Sequence, residues 1–270
     1  MTDSPVDQNI VAAAWEHARR AAADCGIEVR EITGTDVEVA QEVVREAWGA
    51  QQVPQSNLLQ ALSHAGNAVL AAVQGSRPAG ASFGFLGWSG GLHLHSHMTA
   101  VARGQQSRGV GYALKSWQRA LCLEHGIREM RWTYDPLIAR NAHFNLVKLG
   151  ARVQAFFPDF YGAMDDTVNS GDHSDRFEVS WQLDSDGTMA ALQRRDPRAV
   201  PAGPSVAIPS DFDALRRESP AAARALRLAT RQEFTRHFSA GLRPEWGGDG
   251  YVFVAAEPSR HGDKVGSAHG

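Results

Sequence analysis

The chain reads as an α/β protein: a mixed, mostly antiparallel sheet with helices on both faces, followed by a C-terminal helix-and-strand extension. Three observations predict this. Helical and strand periodicities alternate along most of the 270 residues. Between residues 68 and 101, three strand-like runs follow one another with only turn signals between them, as antiparallel neighbours require. Beyond them the order becomes helix, strand, helix, strand, which lays helices over the sheet.

Ser4-Pro5 reads as the cap and first residue of a helix ending near Gly26, with Ile10, Ala13, Ala14, His17 and Ala21 as its stripe. It makes residues 1–27 an N-terminal helical segment. "IEVREIT" is a strand. "TDVEVAQEVVREAWG" is a helix capped by Thr35 or Asp36, with Val39, Val43 and Ala47 inward, and "SNLLQALSHAG" is a short helix. "NAVLAAVQGSRPAGASFGFLGW" is two strands joined at Gly75-Ser76-Arg77-Pro78, and "GGLHLHSHMTAV" is the third. "GVGYALKSWQRALCLEHG" is a helix with Ala113, Leu114, Trp117, Ala120, Leu121 and Leu123 on its buried side. "REMRWTYD" is a strand, "ARNAHFNLVKLG" a helix, and "ARVQAFF" and "RFEVSWQL" are strands. From residue 184 a short helix mixed with a Pro/Gly linker leads to a helix bounded by Ser219, Pro220 and Gly241, with Leu226, Phe234 and Phe238 inward, then the strand "GYVFVAA". Residues 257–270 are a polar tail expected to be disordered.

Composition narrows the function. A net charge of −3 gives no general attraction to nucleic acid. The start of the chain has no apolar core, so it does not read as a signal peptide, and no run approaches the roughly 18 apolar residues of a membrane span. Cys25 and Cys122 are too few for a disulfide framework. The expectation is a cytoplasmic protein without nucleic-acid or membrane partners; a homodimer is left open.

His93, His95 and His97 stand at alternate positions and share one face of an extended strand. A metal site, a proton-transfer site and a wet surface all fit that spacing. Zinc needs three or four ligands in a tetrahedron, and imidazoles spaced about 6.5–7 Å along a strand converge on one ion poorly. No further Cys, His or Asp cluster stands at ligand spacing, so no metal is expected.

The strand runs into "VARGQQSRGVGYALK", where Gly109 and Gly111 meet the start of a helix. Outward N–H groups and the helix dipole there suit a phosphate, with Arg103 and Arg108 adding charge. A P-loop would need Gly-Lys-Ser/Thr, which is missing. A dinucleotide fingerprint would need a third glycine where Leu114 stands, although Asp135 mimics its ribose-binding acid.

Gln106-Ser107-Arg108-Gly109-Val110-Gly111 resembles the Gln/Arg-x-x-Gly-x-Gly/Ala pyrophosphate loop of the GNAT superfamily of N-acetyltransferases, and the element order over residues 28–183 is similar to theirs. "WTYDPLIARNAHFNLVKLGARV", "DFYGAMDD" and "GDHSDRFEVSWQL" resemble an acyltransferase subfamily whose added C-terminal segment corresponds to residues 184–256. The resemblance implies the GNAT fold and a cosubstrate, acetyl-CoA or another acyl-CoA, held by Val101, Arg103, Gln106, Ser107, Arg108, Gly109, Val110 and Gly111. Asn141 and Asn145 would touch the pantetheine arm. It implies transfer of the acyl group to a primary amine of a small molecule, amino acids included, by direct attack with general-base help. Some members of the subfamily are thought to move succinyl groups.

The family's base falls 11 residues before Gln106, at His95, and the His-x-His of arylalkylamine N-acetyltransferases is similar to His95-Ser96-His97. His93 then reads as a bystander. The family's tyrosine acid aligns with Leu146, so Tyr161 is the nearest substitute and Tyr134 the second. The polar connection after residue 158 offers Arg176, with Arg140, for a substrate carboxylate, or Asp165 and Asp166 for a cationic amine. Two rival readings remain: a CoA-binding regulatory module without chemistry, and a nucleotide-binding oxidoreductase.

Overall fold

Burial along one strand sets the architecture. In β2 (Val69–Gln74), Leu70 and Ala72 face one apolar layer and Val69 and Ala71 the other. A strand buried on both faces lies between two helical layers. The computed structural model describes residues 5–32, 37–162, 172–193 and 199–256. β1 (Glu28–Glu31) pairs with β2, β2 with β3 (Arg77–Gly87) and β3 with β4 (His93–Val101), all antiparallel. β4 runs parallel to β5 (Glu129–Tyr134), and β7 (Arg176–Gln182) is antiparallel to both β5 and β6 (Arg152–Phe157). The order is β1-β2-β3-β4-β5-β7-β6 in a seven-stranded sheet. This is the mixed, mostly antiparallel α/β architecture that the sequence predicts.

One face packs against α1 (Gln8–Asp24) and α4 (Val110–Glu124), the other against α2 (Val37–Trp48) and α3 (Ser56–His64). α4 lies between the sheet and α1, where Trp15 meets Trp117 edge-on with centroids 5.1 Å apart. That position buries even its polar residues: Lys115, Gln118 and Arg119 all sit inside. After α5 (Ala139–Ala142) the helix widens into a π-turn over His143–Lys148. Following α6 (Asp186–Gln193), the extension adds β8 (Ser205–Ala207), α7 (Phe212–Glu218), α8 (Pro220–Ser239), β9 (Leu242–Trp246) and β10 (Gly250–Ala255). It has no core of its own. Phe234 and Tyr251 pack on Phe177 of β7 at centroid distances of 4.9 and 5.2 Å.

Several expectations are corrected. α1 begins at Gln8, capped by the Asp7 carboxylate, and its buried side is Val11, Ala14, Ala18, Ala21 and Ala22 because it packs on α4 rather than on the sheet. α2 buries Val37, Ala40, Val43 and Val44, a stripe turned from the expected one. The β2–β3 turn is only Gly75-Ser76, since Gln74 already pairs with Arg77. α8 buries Arg227, Thr230 and His237 beside Phe234. Sequence periodicity missed β8, β9 and α7: β8 is three residues long, α7 seven, and β9 carries Pro244 as an edge strand can. Ser4, Thr35, Asp36, Asp165, Asp166 and the 257–270 tail lie outside the described residues.

Candidate active site

β4 and β5 are paired over two rungs only, Leu94–Met130 and His95–Arg131. Continuing that register sets Ser96 opposite Trp132 and His97 opposite Thr133, but neither pair joins the ladder. The strands therefore fork. On the β3 side, Phe83 pairs with Met98 and Gly84 with Ser96, so His97 is the extra residue of a β-bulge. Alternation then sorts the fork. Leu94 and Ser96 look toward α4, while His95 and His97 look to the opposite face together with Phe83 and Phe85.

The rings of His95 and His97 lie 6.0 Å apart. His95 stacks obliquely on Phe85 at 5.2 Å, and His97 lies 5.6 Å from Phe83. Burial pushes His95 down to about 4, and positive charge on His97, His93 and Lys115 adds to the effect. His97 keeps an exposed edge, but the neighbouring strand and rings strip enough water to lower its pKa too. Both are neutral imidazoles at pH 7. His93 stands apart: its ring is buried over Gly87, where a Cβ would lie 2.6 Å from Nε2, and Nδ1 donates to the Gly91 carbonyl at 2.8 Å. Its place is in the β3–β4 turn. Among the described residues, no three His, Cys, Asp or Glu side chains gather as metal ligands.

Behind the histidine strand lies a buried polar cluster that sequence reasoning missed. Lys115 Nζ donates to Ser96 Oγ at 2.8 Å, and Ser96 Oγ donates to Gln118 Oε1 at 2.8 Å. Nζ also stands 3.7 Å from the centroid of the Trp132 ring, whose Nε1 donates to Asn145 Oδ1 at 3.3 Å. Asn145 is therefore buried and committed to Trp132, not lining a surface groove. Asn141 is half-buried on α5, and Leu146 is buried. Position 115 repeats with 118 and 119 at helical spacing, a pattern that reads as a solvated stripe until Lys115 and Gln118 are known to face β4 and β5.

At the far end of β4, Val101 is half-buried and Arg103, Gln106, Ser107, Arg108 and Gly109 are exposed. Ser107 holds φ +63 and Gly109 φ +92, left-handed values that turn the chain into α4. Gly109 has a second constraint, because a Cβ there would lie 2.8 Å from Cys25 Sγ. α4 starts with no side-chain cap, which leaves the first-turn N–H groups, including those of Val110 and Gly111, for an anion. A cavity of ≈ 210 Å³ opens beside this loop, with His17, Arg20, Cys25, Arg108 and Tyr112 among its walls and none from β4 or β5.

The acceptor-side residues are only partly brought together. Tyr161 is exposed, with its hydroxyl a long 3.4 Å from Thr133 Oγ1, on the face and rung that oppose His97. Tyr134 is buried against Tyr251 and cannot serve. Arg176 lies 5.3 Å from the Tyr161 ring centroid. Arg140 is committed elsewhere, bonding Asp213 of α7 at 2.7 Å. Asp135 accepts from the Leu137 N–H and is clasped by Arg227 at 3.1 and 2.8 Å, so it is not a ribose-binding acid. Arg227 also holds Asp172, which anchors α8 to the end of β5. Glu178, paired with Thr133 across β5–β7, was not foreseen. Burial raises its pKa, Arg131 and His93 pull it back, and its carboxyl makes no hydrogen bond or ion pair among the described residues. Its place in an alternating strand was the available signal, unread because nothing in the sequence says which face lies open.

No protein-family model matches this sequence, and no curated protein does. Among the described residues, no helix is long and apolar enough to cross a membrane. Solved structures similar to this chain include acetyltransferases. The ribosomal-protein-S18-alanine N-acetyltransferase of Escherichia coli is 14% identical, covers 58% of this chain and 94% of its own, and has a TM-score of 0.45. Arabidopsis thaliana Naa50 in complex with a bisubstrate analogue is 14% identical over 57% of this chain and 97% of its own, with a TM-score of 0.47. A GNAT family acetyltransferase from Elizabethkingia anophelis with acetyl-CoA bound is 11% identical, covering 58% and 98%, with a TM-score of 0.45.

Proposed function

We propose that this chain is an acyl-CoA-dependent N-acyltransferase, most simply an acetyltransferase, acting on a primary amine of a small molecule. One observation carries the reading: a parallel strand pair that forks after two rungs, with a histidine pair on one strand and an uncapped, glycine-turned helix N-terminus at its end. A fork exposes strand-edge groups that can bond an amide-rich arm such as pantetheine. The helix start takes the pyrophosphate.

The chemistry then needs little else. The amine arrives on the His95–His97 face as an ammonium. A neutral imidazole, His97 directly or His95 through water, removes a proton. The imidazole passes that proton to water, the free amine attacks the thioester carbonyl, and its nitrogen gives a second proton to the imidazole. The tetrahedral oxyanion collapses with cleavage of the C–S bond, and the sulfur is protonated and leaves as the thiol. Arg176 and Glu178 flank this face on β7, a pairing suited to the carboxylate and ammonium of an amino acid. A succinyl donor is the alternative acyl group.

Titration calorimetry with acetyl-CoA and succinyl-CoA tests the binding half. Thiol release from each, with the L-amino acids and simple arylalkylamines as acceptors, tests the chemistry. No binding of either donor at high protein concentration would sink the reading. Binding with no turnover of any amine would favour a regulatory CoA module.

A further inference from the structure

The tyrosine position of the resembled family is occupied by Leu146, which is buried and has no proton to give. The structure offers another donor at the fork. Ser96 and Trp132 form the first rung at which β4 and β5 face each other unpaired. Lys115 Nζ bridges them, 2.8 Å from the serine oxygen and 3.7 Å from the indole centroid. Its residue is only 4% exposed, and no carboxylate bonds it among the described residues. Beside it, Gln118 Nε2 is buried and has no hydrogen-bond partner among the described residues.

A buried ammonium met by one hydroxyl and one aromatic face is poorly compensated. It has three N–H groups and Ser96 takes one. Two donors thus crowd the floor of the fork without an anion to receive them. We propose that Lys115 meets the sulfur of the thioester at the fork and acts as the acid for the leaving thiolate. This rests on the acyl-CoA reading above.

The balance is simple. The acceptor ammonium first gives one proton through a histidine to water; its nitrogen then forms its bond to the carbonyl carbon and loses a second proton to the histidine. The C–S bond breaks, sulfur departs with the electron pair, and it takes a proton from the Lys115 ammonium. Histidine returns its proton to water and Lys115 takes one from water. Burial lowers Lys115 to about 7, near the range of a thiol. Two titratable groups act on it or feel it. Cys122 on the same helix is pushed up to about 12 and stays neutral, and His95, on the far side of β4, is lowered by the lysine charge. Ser96, Gln118 and Trp132 complete its surroundings and do not titrate.

Coenzyme A alone serves as the probe. The ultraviolet absorbance of its thiolate is titrated in the complexes of wild type and Lys115→Met. The ammonium is expected to lower the bound thiol pKa by about 1 unit or more relative to the variant. With acetyl-CoA and the amine that wild type turns over fastest, kcat of the variant is expected to fall about 100-fold. KM for acetyl-CoA should stay within about twofold. Methionine fills the same volume without a buried charge, and Lys115→Gln is the second variant should it fail to fold. Equal thiol pKa values in wild type and a folded variant that binds coenzyme A overturn the inference alone. No coenzyme A binding by wild type overturns it together with the acyl-CoA reading.

Discussion

The His97 ring lies 6.0 Å from that of His95, although His95 belongs to the last paired rung of β4–β5 and His97 is the unpaired residue of a bulge. The bulge swings His97 outward, so one ring is sheltered and the other reaches solvent.

Both rings nevertheless tie stability to pH, because burial lowers both. His95 is held at about 4, below its unfolded value near 6.5. The unfolded chain therefore binds more protons in that window. Its contribution is full above pH 6.5 and is lost as pH falls toward 4. The ring keeps some hydration, which limits the effect to about 1–2 kcal/mol. Urea midpoints measured from pH 7 to 4.5 should fall less steeply for His95→Gln than for wild type; parallel slopes would reject the assignment. His97→Ala should lower kcat about 100-fold and should also flatten those slopes, because burial lowers His97 too and its charge helps hold His95 down.

Gly109 serves two demands at once, a left-handed φ of +92 and the closeness of Cys25 Sγ. Gly109→Ala should cost about 2–3 kcal/mol, the strain of a left-handed alanine plus the clash. Adding Cys25→Ala should return only the steric share. The measurement is thermal unfolding of the single and double variants. A double variant as stable as Cys25→Ala itself would show that φ costs nothing.

Arg227 is buried between Asp135 and Asp172. Burial works against its charge, but the two carboxylates more than offset it and hold its pKa up. Among the described residues, Arg227→Met leaves Asp135 with only the Leu137 N–H, and Asp172 with the His173 N–H and the longer Arg216 contact at 3.8 Å, and should cost about 3–5 kcal/mol. Adding Asp135→Asn and Asp172→Asn should recover part of that loss. Chemical denaturation of the two variants decides, and equal stabilities would mean that packing on α8, not charge, is what counts.

Glu178 faces the same side as Thr133 with its carboxyl unbonded. If it receives the acceptor ammonium, Glu178→Gln should raise KM for the amine about tenfold and leave KM for acetyl-CoA alone. Changes in both constants would place the residue in the scaffold instead.

Most of the sheet could be read from the letters because strands β2 to β7 alternate or are apolar throughout, and Gly75, Gly109 and Gly150 mark their turns. The histidine strand and the glycine loop were found as neighbours by sequence adjacency alone. What stayed hidden depends on which layer covers which face. Lys115, Gln118 and Arg227 look solvated in sequence and are buried because the first two face β4 and β5 from α4 and α8 closes on β5–β7. Asn145 is likewise buried, bonded by Trp132, while Arg140 stays largely exposed in its pair with Asp213.

The two-rung join of β4 to β5 has a mechanical meaning. The sheet is two ribbons with a seam, one backed by α2 and α3, the other braced by the extension. Past the second rung, the seam is spanned from α4 by Lys115, touching Ser96 on one ribbon and Trp132 on the other. The bore of the slot between the ribbons is thus gauged by the volumes of three side chains rather than by a backbone repeat, and a change at any of the three retunes it.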